Sequence, residues 1–433
     1  MARILNAADP GFAADFGRLI AASREERADV DGAVAGILAD VKARGDAAVL
    51  DYTAKWDRVA LTPATLRFTD AELSAAEKAC DAETLSAVVT AAERIADYHR
   101  RQLPRDELYT DAAGITLGWR WTAVSSAGLY VPGGTAALFS SVLMNAVPAK
   151  VAGVKRVVVT LPTPDGKTNP LMLAACRIAG VDEVFCVGGA QAIAALAYGT
   201  GSIAPVDKIV GPGNAYVASA KKQVFGTVGI DMVAGPSEVT VVADAANDPD
   251  WIAADLLAQA EHDASSQSIL ITDDMFFAGR VAEAVTAQLA TLPRAAIARD
   301  SWQRHGGIVV VRNLSDAAAL VDQIAPEHLE LAVTDPQPLM AAITHAGAIF
   351  IGRYTPEAAG DYIAGPSHVL PTSGTARFSS GLGVFDFLKR TSIIDCTPQG
   401  LRAIGPAAVR MAEAEGLAAH ARSVSIRLNV GRG

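Results

Sequence analysis

Gln259 and His262 stand three positions apart in "LLAQAEHDASSQ" (256–267), a segment otherwise apolar enough to be buried. Residues three apart share a helix face, so the amide and the imidazole point the same way just ahead of Asp263. The pair is either half of a metal site or a donor and an imidazole satisfied at a helix C-terminus. Histidine is scarce, with seven in the chain, and four lie in polar islands within apolar sequence: His262 in "AEHD", His328 in "APEHLEL", His368 in "AGPSHVLPT" and His420 in "EGLAAHARS". His99 and His305 read as solvent-exposed and His345 as a helix-end residue, and these three take structural roles. In "IAPEHLEL" (324–331), Glu327 precedes His328 at the start of a β-type run after a proline. At a turn both side chains can face one cleft, and an imidazole beside a carboxylate suits proton abstraction near pH 7. A surface Glu-His pair is the alternative. "TPEAAGDYIAGPSHVLP" (355–371) concentrates Glu357, Asp361 and His368 in what reads as a loop with several prolines and glycines, the kind of segment that carries sites more often than cores.

Elements that can position these groups follow from periodicity. From about Glu25 to Arg101 apolar residues recur at three- and four-residue steps, which predicts a mostly helical segment after a short amphipathic lead (1–20). From about Gly128, short β-branched runs at 155–161, 183–189 and 207–211 alternate with helical stretches, and a second set follows at 238–244, 266–272, 306–311 and 347–352. Such alternation implies parallel βαβ units, hence two α/β sheets. The Gly-Pro of "IDMVAGPSEVT" marks a turn and crossover between them. Beyond Thr372 the alternation ends, and "PQGLRAIGPAAVRMAEAEGLAAHARSV" reads as two helices split at Gly405-Pro406.

Three Gly-rich turns, at 129–141, 187–199 and 210–222, stand where a strand meets a helix, although the GxGxxG fingerprint is absent. Each is either a tight βα connection or a cradle of N–H groups for phosphate. Together, at the carboxyl ends of successive strands, they form the crevice that an extended, nucleotide-like ligand requires.

Composition narrows the classes. The chain has 433 residues, long enough for two or more domains. Although 51% of its residues are hydrophobic, its apolar runs are interrupted well short of the ~20 residues of a membrane span. A net charge of −10 with no basic block argues against nucleic acid as a partner. The first residues lack a basic stretch followed by an apolar core, so no signal peptide is read and the expected location is cytoplasmic. Cys80, Cys176, Cys186 and Cys396 show no CxxC spacing and read as reduced core thiols.

The ordered segments "VPGGTA", "GPGNAYV", "DMVAGPSE", "QAEHD", "PEHLE", "TPEAAGDY", "GPSHVLPTSGTARFSSGL" and "EGLAAHARSV" resemble the histidinol dehydrogenase family, over roughly residues 25–428. Ser367 departs from the Asn that many members carry before the histidine. The resemblance implies an α/β fold of two Rossmann-like domains with small N- and C-terminal helical segments: an arm at 1–24, a discontinuous catalytic and metal domain at 25–129 and 237–381, an NAD-binding domain at 130–236, and a helical module at 382–433. It further implies NAD-dependent, four-electron oxidation of L-histidinol to L-histidine through the aldehyde, the last two steps of histidine biosynthesis, in a homodimer with shared sites.

By the same resemblance Gln259, His262, Asp361 and His420 hold one zinc per subunit, and Glu327 and His328 are the catalytic pair. Ser237, Glu357, His368 and Glu415 contact the substrate, and Tyr130, Gln191 and Asn214 contact NAD. An N/O ligand set of this kind suits zinc and also admits manganese or cobalt. Two rivals stand beside this reading. A related dehydrogenase for another alcohol would lack the substrate set Glu357, His368 and Glu415. A zinc hydrolase would leave the Gly-rich turns without a task and should carry an HExxH helix, which is absent.

Overall fold

The computed structural model describes every residue except 1–2, 23, 25–29, 134–137, 234 and 429–433. Its strands are β1 (Ile4–Asn6), β2 (Glu107–Thr110), β3 (Ile115–Ala123), β4 (Ser126–Tyr130), β5 (Arg156–Leu161), β6 (Glu183–Cys186), β7 (Lys208–Val210), β8 (Gly229–Ile230), β9 (Glu238–Ala243), β10 (Gln267–Thr272), β11 (Gly307–Val310), β12 (His328–Ala332), β13 (Ala348–Ile351) and β14 (Leu388–Cys396). The chain divides into two compact units, Met1–Arg101 with Ser125–Phe387, and Gln102–Val124 with Leu388–Gly433.

The first unit holds two parallel sheets, as the alternation predicts. In one the order is β6-β5-β4-β7-β8; in the other it is β1-β11-β10-β9-β12-β13. Both follow the same logic. The chain steps outward from its first long strand (β4, β9), then returns to the other side (β7, β12), leaving a switch point between β4 and β7 and another between β9 and β12. The strands "RVVVTL", "EVTVVA" and "QSILIT" are buried almost throughout, because helices cover both faces of a parallel sheet. That two-sided burial is why they read as continuous apolar runs. The 230–240 segment does carry the chain from one sheet to the other, from β8 to β9.

Several expectations need correction. The amphipathic lead also supplies a strand: β1 pairs parallel with β11, and the helix Phe12–Ala22 buries Phe16, Leu19 and Ile20 beside it. The C-terminal segment read as purely helical starts with β14, which pairs antiparallel with β3 along its whole length, and β2 completes that sheet in the second unit. The helix there runs unbroken through Gly405-Pro406, from Pro398 to Ala414. Gly405 is a packing residue: a Cβ there would lie 2.9 Å from Leu428 Cδ2, on the helix Ala418–Leu428. His99 and His305 are buried, and the His99 Nδ1–H donates to the Ile95 carbonyl at 2.7 Å. Of the cysteines, Cys176 and Cys186 are core thiols as expected, Cys80 is half-buried and Cys396 is exposed.

The larger sheet is backed by an apolar cluster around Leu256, Leu270, Phe277, Val281 and Ile308. Phe277 has no exposed surface, and the helix that carries it, Met275–Gln288, is capped by Asp274, which accepts the Phe277 N–H. Phe277→Ala removes a ring from a packed layer and should lower unfolding free energy by about 3–5 kcal/mol. The denaturant midpoint reads this directly, and a loss below ~1 kcal/mol would contradict this core.

Candidate functional site

The chemistry gathers at the amino ends of β9 and β12. A helix at Ala317–Ile324 ends on Ala325 in the left-handed region (φ 49), and Pro326 and Glu327 then lead straight into β12. His328 opens that strand and is 4% exposed. Its Nδ1 lies 3.2 Å from the Glu238 carbonyl, which only accepts, so Nδ1 carries the proton. The lone pair is therefore on Nε2, which has no hydrogen-bond partner among the described residues. Burial pushes the His328 pKa down to about 3, so the ring is neutral at pH 7.

Three acids crowd this ring. Glu327 Oε2 lies 3.8 Å from Nδ1 and accepts the Glu238 N–H at 2.9 Å. Burial first, then the charges of Glu238 and Asp361, hold its carboxyl well above the usual range. Glu357 and Asp361 belong to a short helix, Glu357–Tyr362, within what reads from sequence as a loop. Four residues apart, they present carboxyls on one face. Glu357 Oε1 is 3.5 Å from His328 Nδ1, and Asp361 Oδ1 is 3.8 Å from Nε2. Burial lifts Glu357 well above its normal pKa and Asp361 to about 7. Behind them Glu330, two residues past His328 on the same strand face, accepts the Glu357 N–H at 2.7 Å. His368 Nδ1 donates to the Asp361 carbonyl at 3.1 Å, so its Nε2 accepts from Ser141 Oγ at 3.2 Å. Burial lowers its pKa to about 4.

Ligand atoms of His328, Glu357 and Asp361 all lie within 4.8 Å of one another, a spacing that suits a metal ion. The opening pair is close by. Gln259 sits in the last turn of the helix Pro249–Ala260, which touches the helix Glu357–Tyr362. It is fully buried, and neither of its amide atoms has a hydrogen-bond partner among the described residues. A buried amide without partners costs about 1–3 kcal/mol, which is a reason to look for a ligand. His262 is exposed and lies just beyond the helix end, so the same-face argument applies only through one continuing turn, closed by the His262 N–H on the Gln259 carbonyl at 3.2 Å. Protonation of His262 would disfavour protonation of both His328 and His368.

The oxygen and nitrogen donors, the orphaned amide and the crowded carboxyls fit a divalent cation, whose charge would let those acids ionise. Ser237 is half-buried immediately before β9, where its carbonyl accepts the Gln267 N–H at 2.9 Å. His420 and Glu415 lie in the second unit and are exposed.

The three residues expected at the dinucleotide stand at the carboxyl ends of β4, β6 and β7. Tyr130 ends β4, and its hydroxyl accepts the Gly189 N–H at 3.2 Å at the start of the helix Gly189–Tyr198. Gln191 is buried in the first turn of that helix, and its Oε1 has no hydrogen-bond partner among the described residues. Asn214 is exposed and caps the helix Ala215–Val224, accepting from the Tyr216 and Val217 N–H groups. The turn at 129–141 lies in part outside the described residues.

Some contributors escape a motif reading. Ser141 anchors His368 from the helix Phe139–Ala152, and Ser367 donates to the Met144 carbonyl at 3.1 Å on that same helix. Glu238 holds both residues of the pair through its backbone, His328 with its carbonyl and Glu327 with its N–H. A backbone role leaves no trace in residue type. Glu330 was accessible in principle, since the two-residue period of a strand places it on the face of His328.

The family model described as "Histidinol dehydrogenase" matches residues 20–428. Curated histidinol dehydrogenases of Rhodospirillum rubrum and Ruegeria pomeroyi are 63% and 61% identical, each covering 99% of this chain and 99% of the relative. The crystal structure of histidinol dehydrogenase from Elizabethkingia anophelis superposes with a TM-score of 0.94 at 36% identity, covering 99% of this chain and 98% of that one. With its two parallel sheets and a buried histidine among acids, this chain is an oxidoreductase that belongs to the histidinol dehydrogenase family.

Proposed function

We propose that this chain oxidises L-histidinol to L-histidine through L-histidinaldehyde, with two NAD consumed per substrate. The observation that carries the reading is His328: a buried, neutral imidazole whose Nδ1 is tied to a backbone carbonyl and whose Nε2 is free to take a proton. In balance, the alcohol, one water and two NAD⁺ give the carboxylate, two NADH and three protons. When bound, NAD takes up the hydrides, and a zinc ion held by Gln259, His262, Asp361 and His420 supplies the charge that fixes the substrate's polar groups.

His328 accepts the hydroxyl proton in the first oxidation and the gem-diol proton in the second. Its orientation costs nothing at the moment of reaction, because the Glu238 carbonyl already sets the tautomer. Glu327, held by the Glu238 N–H and raised in pKa by burial, takes a proton from water as it adds to the aldehyde. Ser237, Glu357 and His368 position the substrate, and the deep burial of Glu357 keeps water from competing for it. Tyr130, Gln191 and Asn214 receive the dinucleotide at the carboxyl ends of β4, β6 and β7, in one parallel sheet, whereas Glu327 and His328 act from the other, which holds β9 and β12. Glu415 and His420, exposed in the second unit, reach the site of a second copy in a homodimer, where Glu415 reads a cationic nitrogen of the substrate. A biosynthetic enzyme of this kind works in the cytoplasm, and no helix among the described residues is long and apolar enough to cross a membrane.

Purified protein given L-histidinol should form about two NADH per substrate consumed, lose the activity on chelation and regain it with zinc. One NADH per substrate, with aldehyde released, would place the second oxidation elsewhere. His328→Asn should lower turnover by about 10²–10⁴ while metal content stays at the parent level, by elemental analysis. Loss of zinc with normal residual turnover would make His328 a ligand and not the base. Gln259→Leu should stabilise the chelated protein by about 1 kcal/mol or more in a denaturant melt, since it removes two unpartnered polar atoms, yet weaken zinc retention against a competing chelator. Unchanged zinc retention would remove Gln259 from the ligand set.

A further inference from the structure

A buried ion pair outside the catalytic cluster has no part in the mechanism so far. Lys221, on the helix Ala215–Val224, is 2% exposed, and its ammonium is paired with the carboxylate of Asp231, whose side chain is completely buried just after β8. Both partners turn to a single residue. Lys221 Nζ donates to the Gly211 carbonyl at 2.8 Å, and Asp231 Oδ2 accepts the Gly211 N–H at 2.8 Å. Gly211 directly follows β7 and opens the "GPGN" turn that ends in Asn214.

Gly211 has little freedom of its own. Its φ of +110 lies in the region that favours glycine, and a Cβ there would sit 2.2 Å from the Tyr130 carbonyl oxygen. The turn is thus wedged against the end of β4 at the switch point, with its first peptide groups held from both sides by opposite charges. A buried ion pair is often no better for stability than apolar residues of the same volume, so stability alone does not explain keeping one here. What it provides is a fixed direction for two backbone groups at the entrance of a turn.

We infer that Lys221 and Asp231 are positioning residues for the dinucleotide. They set the shape of the 211–214 turn before the ligand arrives, so that the ordering cost is met during folding and not during binding. The inference rests on the NAD reading proposed above and goes beyond it, since neither side chain needs to touch the ligand.

The decisive comparison is NAD affinity by calorimetric titration of the zinc-loaded protein, parent against the Lys221→Met/Asp231→Leu double variant. The double variant should keep a cooperative melt and the parent's affinity for L-histidinol. Its Kd for NAD should rise roughly tenfold or more, the scale expected when a residue of backbone must be re-ordered on binding, with KM for NAD rising by more than kcat falls. If the double variant does not fold, Asp231→Asn, which keeps an acceptor for the Gly211 N–H but loses the charge, should show the same weakening to a smaller degree. Parent-level NAD affinity in the folded variant overturns the inference, as does an equal loss of NAD and L-histidinol affinity, which would mark the pair as merely structural. A parent protein that binds no NAD overturns the dinucleotide reading itself, and the inference with it.

Discussion

Removing charge from water is the constraint under which this site is built. Glu327, Glu330 and Glu357 are each at most 5% exposed, and His328 stands among them. Left ionised and unpaired, so many groups would cost several kcal/mol apiece. The protein answers in two ways. Burial keeps the imidazole neutral and raises the acids, so that few charges exist before ligands arrive. Backbone groups then take the remaining polarity: the Glu238 carbonyl and N–H, the Glu357 N–H and the Asp361 carbonyl each hold one side chain. The strands and helices that supply those groups must therefore be exact neighbours, which ties the fold to the chemistry.

That tie explains which parts of the molecule were legible. The strands of both parallel sheets announce themselves because two-sided burial demands unbroken apolar runs. The antiparallel sheet does not: β2 and β14 are largely exposed, and "ELYT" and "LKRTSIIDC" mix polar and apolar residues without a clean alternation. β1, at three residues, is too short to carry a period. Gly405-Pro406 misleads for a different reason, since its glycine serves close packing of one helix on another and not a break in either.

The site shows the same division. Side chains that carry chemistry by type, such as the Glu327-His328 pair and the acids at 357 and 361, are visible in sequence, and the structure brings them to one place. What sequence could not give is the tautomer of His328, the isolation of Gln259, or the anchoring of His368 by Ser141 from a distant helix. These depend on which backbone atom lies opposite, a relation between segments more than 80 residues apart. His99 and His305 were misread because a helix end surrounded by charged residues can still be covered by another part of the chain.

The buried acids and imidazoles gather at the amino ends of β9 and β12, whereas the Gly-rich turns follow the carboxyl ends of β4, β6 and β7. On the function proposed above, the two halves of the task are encoded in different sheets, on segments that share few residues. Natural selection, or an engineer, can alter the loops of one sheet without disturbing the acids and imidazoles rooted in the other. A scaffold divided in this way is free to change its oxidant and its alcohol in separate steps, so that each intermediate in such a lineage remains a working catalyst.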